Sequence, residues 1–324
     1  MQVTPSRGDR VVVRFRKGPG APADWRGDPS ATLSDVTGIL DSESPDLVIL
    51  RDDERVVVPA ALVEAVKVLS DKPVRNSQIR SLEVAAARGW PGIESEMIDG
   101  WRARAGGGFT RRANSAVPLE MGARLDSQTM DRLRKWYGAR DLPVKIAAVT
   151  RLLPGAHVSP ADYEINVDVL VAPVGAAASD MSAEVTIDET PSDTWVAAYA
   201  GQRSGADDAD HAVGAAVVAA VDGGKLGFAT VRDADGALVS IGRGAVTTGL
   251  GNDVWLGLSA LWTAPDRRGE GLGRVVTSAL ERWGADLGAA QTYLQVETGN
   301  THAREWYRRM GFGLHHSYGY VEYH

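Results

Sequence analysis

Arg267-Arg268-Gly269-Glu270-Gly271-Leu272-Gly273 is the stretch on which the reading of this chain turns. An apolar segment, Val254-Trp-Leu-Gly-Leu-Ser-Ala-Leu-Trp-Thr263, precedes it and is closed by Pro265 and Asp266. Behind it Leu272, Val276, Leu280, Trp283 and Leu287 recur at close to helical spacing. Strand, glycine loop and helix in that order suit an anion site. The first-turn amides of a helix have no internal partner, and the helix dipole favours negative charge there. Gly271 and Gly273 let the backbone come close to a phosphate, and Arg268 adds a charge-assisted contact. The backbone of Arg268, Gly269, Gly271, Leu272 and Gly273 is therefore the candidate pyrophosphate cradle; a plain glycine turn capping a helix is the alternative at this point. The loop is neither the G-x-G-x-x-G of a dinucleotide fold nor a Walker A loop, which needs Gly-Lys-Ser/Thr.

The pattern Arg-x-x-Gly-x-Gly, here Arg268, Gly271 and Gly273, resembles the acetyl-CoA signature of the GNAT N-acetyltransferase superfamily. Downstream, Tyr293-Leu-Gln-Val-Glu297, Thr298-Gly-Asn300, Ala303, Trp306-Tyr307 and Gly311-Phe312 are similar to the second half of a GNAT domain, so the resemblance covers residues 185–324. It implies acetyl-CoA as cofactor and direct acetyl transfer from a thioester to an amine. It also implies that the backbone of Leu261, Trp262 and Thr263 faces the pantetheine arm, where an amide polarises the thioester carbonyl. Asn300 falls where the family has a CoA-contacting Asn, and equally suits a helix N-cap. Tyr307 matches the family's Asn-x-x-Ala-x-x-x-Tyr and is the candidate general acid, a phenol with an ordinary pKa of about 10.

The general base departs from the family pattern. Many GNAT enzymes carry a Glu on the strand before the loop, and Val254–Thr263 holds no carboxylate. Glu297 is the nearest candidate, with Asp253 and Glu322 behind it; each also reads as a solvated carboxylate, and a water chain is the other option. A weak base suits an α-amine, with a pKa of about 8, better than a lysine amine at about 10.4. The expected acceptor is a small α-amine such as glutamate. Two alternatives stand beside it: a protein lysine or N-terminal acetyltransferase, and a non-catalytic CoA-sensing scaffold.

Residues 1–72 read as a small β-barrel. Arg10–Phe15, Val36–Leu40, Asp46–Arg51 and Arg55–Val58 are short β-branched runs, separated by turn clusters such as Gly18-Pro-Gly20, Ser42-Glu-Ser-Pro45 and Asp52-Asp-Glu54. The pattern resembles a Src-homology-3-like barrel, a surface on which a protein partner is the alternative to a purely small-molecule acceptor. A linker is expected over 70–77. Residues 78–178 resemble the degenerate first lobe of tandem GNAT proteins and lack an Arg-x-x-Gly-x-Gly loop. A hairpin with a mobile glycine tip is expected around Trp101 to Ser115. Its Arg102, Arg104, Arg111 and Arg112 are read as solvated rather than as attractors of an anionic substrate. Residues 183–324 form the expected acetyl-CoA-binding domain, with a Gly-, Asp- and Ser-rich surface loop over 201–212. The expected fold class is α+β: a small N-terminal β-barrel followed by tandem GNAT-like lobes with mixed, mostly antiparallel sheets. The barrel, degenerate lobe and active lobe together resemble actinobacterial acetyltransferases, some of them N-acetylglutamate synthases and others histone-type acetyltransferases.

Composition bounds the rest. With 324 residues and 44% hydrophobic content the chain has material for two or three cores. A net charge of -7 draws it to neither nucleic acid nor anionic membrane. The absence of cysteine removes disulfides, thiolate nucleophiles and zinc-thiolate sites. His315-His316, placed in a strand turn, has no third ligand in view, so no metal site is expected. No signal peptide or membrane-length apolar run is seen, and a cytoplasmic protein is expected. Nothing in the sequence speaks to oligomeric state.

Overall fold

The computed structural model describes residues 5–23, 30–51, 54–69, 74–153, 158–179, 183–201 and 208–323. The turn expected at 52–54, the linker expected over 70–77 and the loop expected over 201–212 lie partly outside these residues. The backbone separates into two compact units, Met1–Pro73 with Leu314–His316, and Val74–Gly313 with Ser317–His324.

In the first unit, β1 (Arg10–Arg16), β2 (Leu33–Ser42), β3 (Leu47–Arg51), β4 (Glu54–Val58) and β5 (Val63–Val68) form an antiparallel sheet in the order β4-β3-β2-β1-β5. Side chains alternate across a strand. Val11, Val13 and Phe15 of β1 therefore point the same way, and they meet Val36, Leu40, Ile49, Val56 and Val58 in one core. For five strands to feed a single core the sheet must curl upon itself. A 3-10 turn at Ala60–Leu62 leads into β5, which returns to pair with β1. No ladder joins β4 to β5 among the described residues.

The second unit begins with α1 (Asn76–Gly89), β6 (Glu94–Ile98), β7 (Trp101–Ala105), β8 (Val117–Pro118), α2 (Ser127–Gly138), β9 (Val144–Ala148) and β10 (Ile165–Pro173). It continues with β11 (Val185–Asp188), α3 (Asp193–Ala200), α4 (Asp208–Val218), β12 (Lys225–Arg232), β13 (Leu238–Thr248) and β14 (Val254–Thr263). It ends with α5 (Leu272–Asp286), β15 (Gln291–Glu297), α6 (Thr301–Arg309) and β16 (Gly313–Tyr323). Eight strands make one sheet in the order β11-β12-β13-β14-β15-β10-β16-β9. The strand beside β15 is thus β10, so residues before 178 complete the sheet to which the glycine loop belongs. The pairing of β14 with β15 is parallel; the other recorded ladders of this sheet are antiparallel. The expected α+β class with mostly antiparallel sheets is what the chain forms.

Helix α5 lies against β12, β13 and β14. It seats closely because β13 carries Gly242: a Cβ there would come within 2.6 Å of Val276 and 2.8 Å of Leu261. The helix presents Leu272, Val276 and Leu280 inward, as its period predicted, whereas Leu287, read on the same face, is exposed just past its last turn.

Two local expectations are corrected. The hairpin of β6 and β7 turns at Asp99-Gly100, with φ of 47° and 84°, the left-handed pair that a tight two-residue turn requires. The glycines Gly106–Gly108 follow β7 and are not a mobile tip. The amides of Gly106 and Gly108 donate to Asn114 Oδ1 at 2.8 and 3.0 Å, and Asn114 Nδ2 donates to the carbonyls of Phe109 and Thr110. The end of the loop expected over 201–212 is instead helix α4, whose Val217 and Val218 are fully buried beside Trp195 and Phe228. Burial of that apolar run outweighs the turn-forming composition before it. His315 and His316 lie within β16 rather than in a turn. No helix among the described residues is long and apolar enough to cross a membrane.

Candidate active site

The site is built where β14 parts from β15. Their parallel ladder runs from Trp255–Gln291 to Leu258–Leu294 and goes no further. On its other side β14 carries a bulge: Arg243 pairs with Ser259 and Ile241 with Trp262, so Gly242 faces both Ala260 and Leu261. Ala260 takes a left-handed φ of 51°. An extra residue on one strand bends it, and here it steers β14 away while β15 continues along β10 to Glu297. A cleft of about 770 Å³ opens at the parting, lined by Ser259 and Ala260 of β14, Gln295 and Glu297 of β15, and Tyr318 and Tyr320 of β16. The Ser259 hydroxyl is buried with no hydrogen-bond partner among the described residues. Sequence reading passed over it, although a hydroxyl in an otherwise apolar strand was the available signal.

The glycine loop starts α5 as expected. Gly271 caps the helix at φ 80° without a side-chain bond, and its carbonyl accepts from the amides of Arg274 and Val275 at 2.9 and 3.1 Å. The amides from Gly269 to Gly273 meet no acceptor among the described residues. The loop's one acid, Glu270, is held by Arg267 Nε at 2.9 and 3.0 Å, which keeps its carboxyl below the usual range. Arg268 Nε reaches the Thr263 carbonyl at 3.4 Å. A Cβ on Gly273 would sit 3.4 Å from the Trp306 ring and 3.7 Å from Thr263 Oγ1. Thr263, Arg268, Gly273 and Trp306 therefore converge. Leu261 turns toward α5, while Trp262 packs on the opposite face with the cluster of Trp90, Phe109 and Trp195.

Asn300 caps α6, its Oδ1 accepting from the Ala303 amide at 3.1 Å. Tyr307, half-buried, stands beside Trp306 with ring centroids 4.9 Å apart and edge-on to Phe312 at 5.8 Å. Burial raises its phenol pKa, so it stays protonated through the neutral range. Tyr307 is not among the residues lining the cleft, whereas Glu297 is. Glu297 Oε1 lies 3.4 Å from Arg111 Nη1, both side chains about half exposed. The other carboxylates considered are occupied elsewhere: Asp253 accepts from Ser81 Oγ at 2.9 Å, and Glu322 pairs with Lys145 at 2.8 Å.

The four arginines read as a solvated hairpin have distinct fates. Arg102 pairs with Asp222 at 2.8 Å. Arg104 is buried and donates to the Ser115 carbonyl and hydroxyl at 3.1 and 3.0 Å, which corrects the solvated reading. Arg111 and Arg112 line the cleft. Arg112 carries its guanidinium carbon 5.4 Å from the Trp90 ring centroid. Arg243, which sequence reading missed, lies 4.6 Å from the same ring and donates to the carbonyls of Val218 and Ala220 at 2.7 and 2.8 Å. Its full burial pushes its pKa down to about 9. A lone charge inside the run Leu238–Thr248 was the only signal.

The family model described as "Probable histone acetyltransferase Rv0428c C-terminal" matches residues 76–321. The chain is 35% identical over 321 residues to the probable histone acetyltransferase Rv0428c of Mycobacterium tuberculosis (strain ATCC 25618 / H37Rv), covering 98% of this chain and 95% of that one. It is 28% identical over 242 residues to the uncharacterized N-acetyltransferase YobR of Bacillus subtilis (strain 168), covering 72% of this chain and 94% of that one. Among solved structures, a GCN5-related N-acetyltransferase from Kribbella flavida superposes with a TM-score of 0.52 at 17% identity, over 76% of this chain and 96% of that one, a likeness of fold.

Proposed function

From the premise that this chain belongs to the Rv0428c C-terminal family and is an N-acetyltransferase of the GNAT superfamily, we propose that it transfers the acetyl group of acetyl-CoA to a small α-amine, with an amino acid such as glutamate as acceptor. The observation that carries this is the coincidence of two open sets of donors: the amides of Gly269 to Gly273 at the start of α5, and the edge of β14 beyond Leu258. Both fit a phosphate-headed, amide-bearing arm. When bound, acetyl-CoA supplies the activated acetyl group as a thioester.

The chain's own residues do the rest. The Arg268–Gly273 backbone holds the pyrophosphate at the positive end of the α5 dipole. The freed edge at Leu261, Trp262 and Thr263 orients the pantetheine, and an amide at the bulge faces the carbonyl oxygen. Asn300, while capping α6, contacts CoA from its exposed position. Tyr307 gives its proton to the departing thiolate. Glu297, in the cleft, takes the amine proton directly or through water. No carboxylate stands on β14, and this supports an α-amine near pKa 8 over a lysine amine near 10.4.

The name of the M. tuberculosis relative, a probable histone acetyltransferase, supports a second reading: acetylation of a protein lysine or N-terminus, with the 1–72 barrel recruiting the substrate. One assay separates the two. Acetyl-CoA-dependent thiol release is measured with purified protein across the amino acids and a lysine-rich peptide. Release with an amino acid and none with the peptide is expected; release with the peptide alone establishes the second reading.

A further inference from the structure

Three cationic side chains line the cleft: Arg111, Arg112 and Lys145. Lys145 is held between Glu164 at 3.3 Å and Glu322 at 2.8 Å, and Arg111 stands against Glu297 at 3.4 Å. Arg112 has neither an ion-pair partner nor a hydrogen-bond acceptor for its guanidinium among the described residues; its contact is the face of Trp90. Burial desolvates it, and the titratable groups that act on it are phenols rather than carboxylates, those of Tyr318, Tyr320, Tyr199 and Tyr293. The second guanidinium over Trp90, that of Arg243, is satisfied by carbonyls and likewise has no carboxylate.

Two positive charges thus share one indole, with no negative charge among the described residues bonded to either. A guanidinium drawn out of water loses hydration for five donors, and a cation–π contact restores only part of it. The group that matches its fork is a carboxylate, taken up by two parallel hydrogen bonds. Ser259, with its unpartnered hydroxyl, and Glu297, the proposed base, line the same cleft.

We infer that Arg112 is the specificity-determining anchor for a carboxylate of the acceptor, which makes the acceptor a carboxylate-bearing amine, held with its carboxylate at Arg112 and its amine toward Ser259 and Glu297. This rests on the acetyl-transfer reading of the cleft. The same cation repels a lysine-rich segment, so it selects against a basic tail as well as for an amino acid.

The test uses glutarate, a dicarboxylate with no amine to acetylate, titrated calorimetrically into the full chain and into Arg112→Gln. Glutarate is expected to bind the native protein. Binding should weaken about 10- to 100-fold in Arg112→Gln, as loss of charge-assisted hydrogen bonds implies, with an unchanged melting temperature. Equal binding by the two proteins, or none by the native one, overturns the anchor. Should Arg112→Gln not fold, the native chain decides: a preference for glutarate over its diamide supports the anchor, and equal affinity sinks it. Thiol release keeps the two ideas apart. Glutarate binding through Arg112 with no acetylated amino acid removes the amino acid as acceptor and keeps Arg112 as a carboxylate site. Amino-acid turnover with the same KM in both proteins does the reverse.

Discussion

Tyr307 shows what one residue contributes and how its surroundings shape it. Its ring is packed between Trp306 and Phe312, and burial alone raises its pKa. In the proposed role of general acid, Tyr307 must hold its proton until the leaving group forms. The raised pKa keeps the phenol protonated above the ordinary value of about 10. Tyr307→Phe should therefore lower kcat about 100-fold, within the usual range for general acid catalysis, with acetyl-CoA affinity within about twofold because the ring and its packing remain. Steady-state kinetics and calorimetry check this. In the native protein kcat should show no fall between about pH 7 and about pH 10 from this group, since the proton is lost only above that window. The position of Tyr307 was legible from its spacing to Asn300 and Ala303. Its packing was not, because Phe312 reaches it through the turn after α6.

At the scale of elements, α5 was readable because its apolar period and glycine start are local properties. What it docks against was not. Glu281, on its buried face, accepts from the amides of Gly175 and Ala177, both at 3.0 Å, and so ties the helix to the turn after β10. Among the described residues its second oxygen, Oε1, and the Thr292 hydroxyl that faces the same carboxyl make no aligned hydrogen bond. Desolvation by burial raises the carboxyl pKa. With the folded value above the unfolded value of about 4.3, the stability linked to protonation is full below the unfolded value. It is lost as pH rises through the folded one. Glu281→Gln keeps an acceptor for the two amides and gains a donor for Thr292. It should raise the melting temperature by about 2–4 °C near pH 8, as about 1 kcal/mol does in a chain of this size. The gain should shrink toward pH 4, where Glu281 is itself protonated. Thermal melts of both proteins at the two pH values test this; a gain that is constant with pH contradicts it.

The whole second unit depends on contacts between distant residues. Asp168 of β10 is 1% exposed; its Oδ2 lies 2.9 Å from Arg304 Nε of α6, held by charge without an aligned hydrogen bond, and its Oδ1 accepts from Ser317 Oγ at 2.7 Å. Removing one partner of a buried pair strands the other charge. Asp168→Ala should cost about 3 kcal/mol in urea unfolding, although Asp168 lies outside the resemblance that drew attention to residues 185–324. The cleft follows the same rule, since its lining runs from Trp90 to Tyr320.

Local pattern was enough for the individual pieces: the strand Val254–Thr263, the glycine start of α5, β15, and the α6 helix with its Asn300 cap. Each follows from periodicity, capping or backbone freedom within a few residues. Long-range packing set β10 beside β15, pinned Gly106–Gly108 on Asn114, and buried Arg104 and Arg243 while leaving Arg112 at the cleft with no carboxylate partner among the described residues. The reason is physical. Strand order, burial and charge pairing are set by which segments exclude water together, and segments a hundred residues apart leave no mark of that in either local pattern.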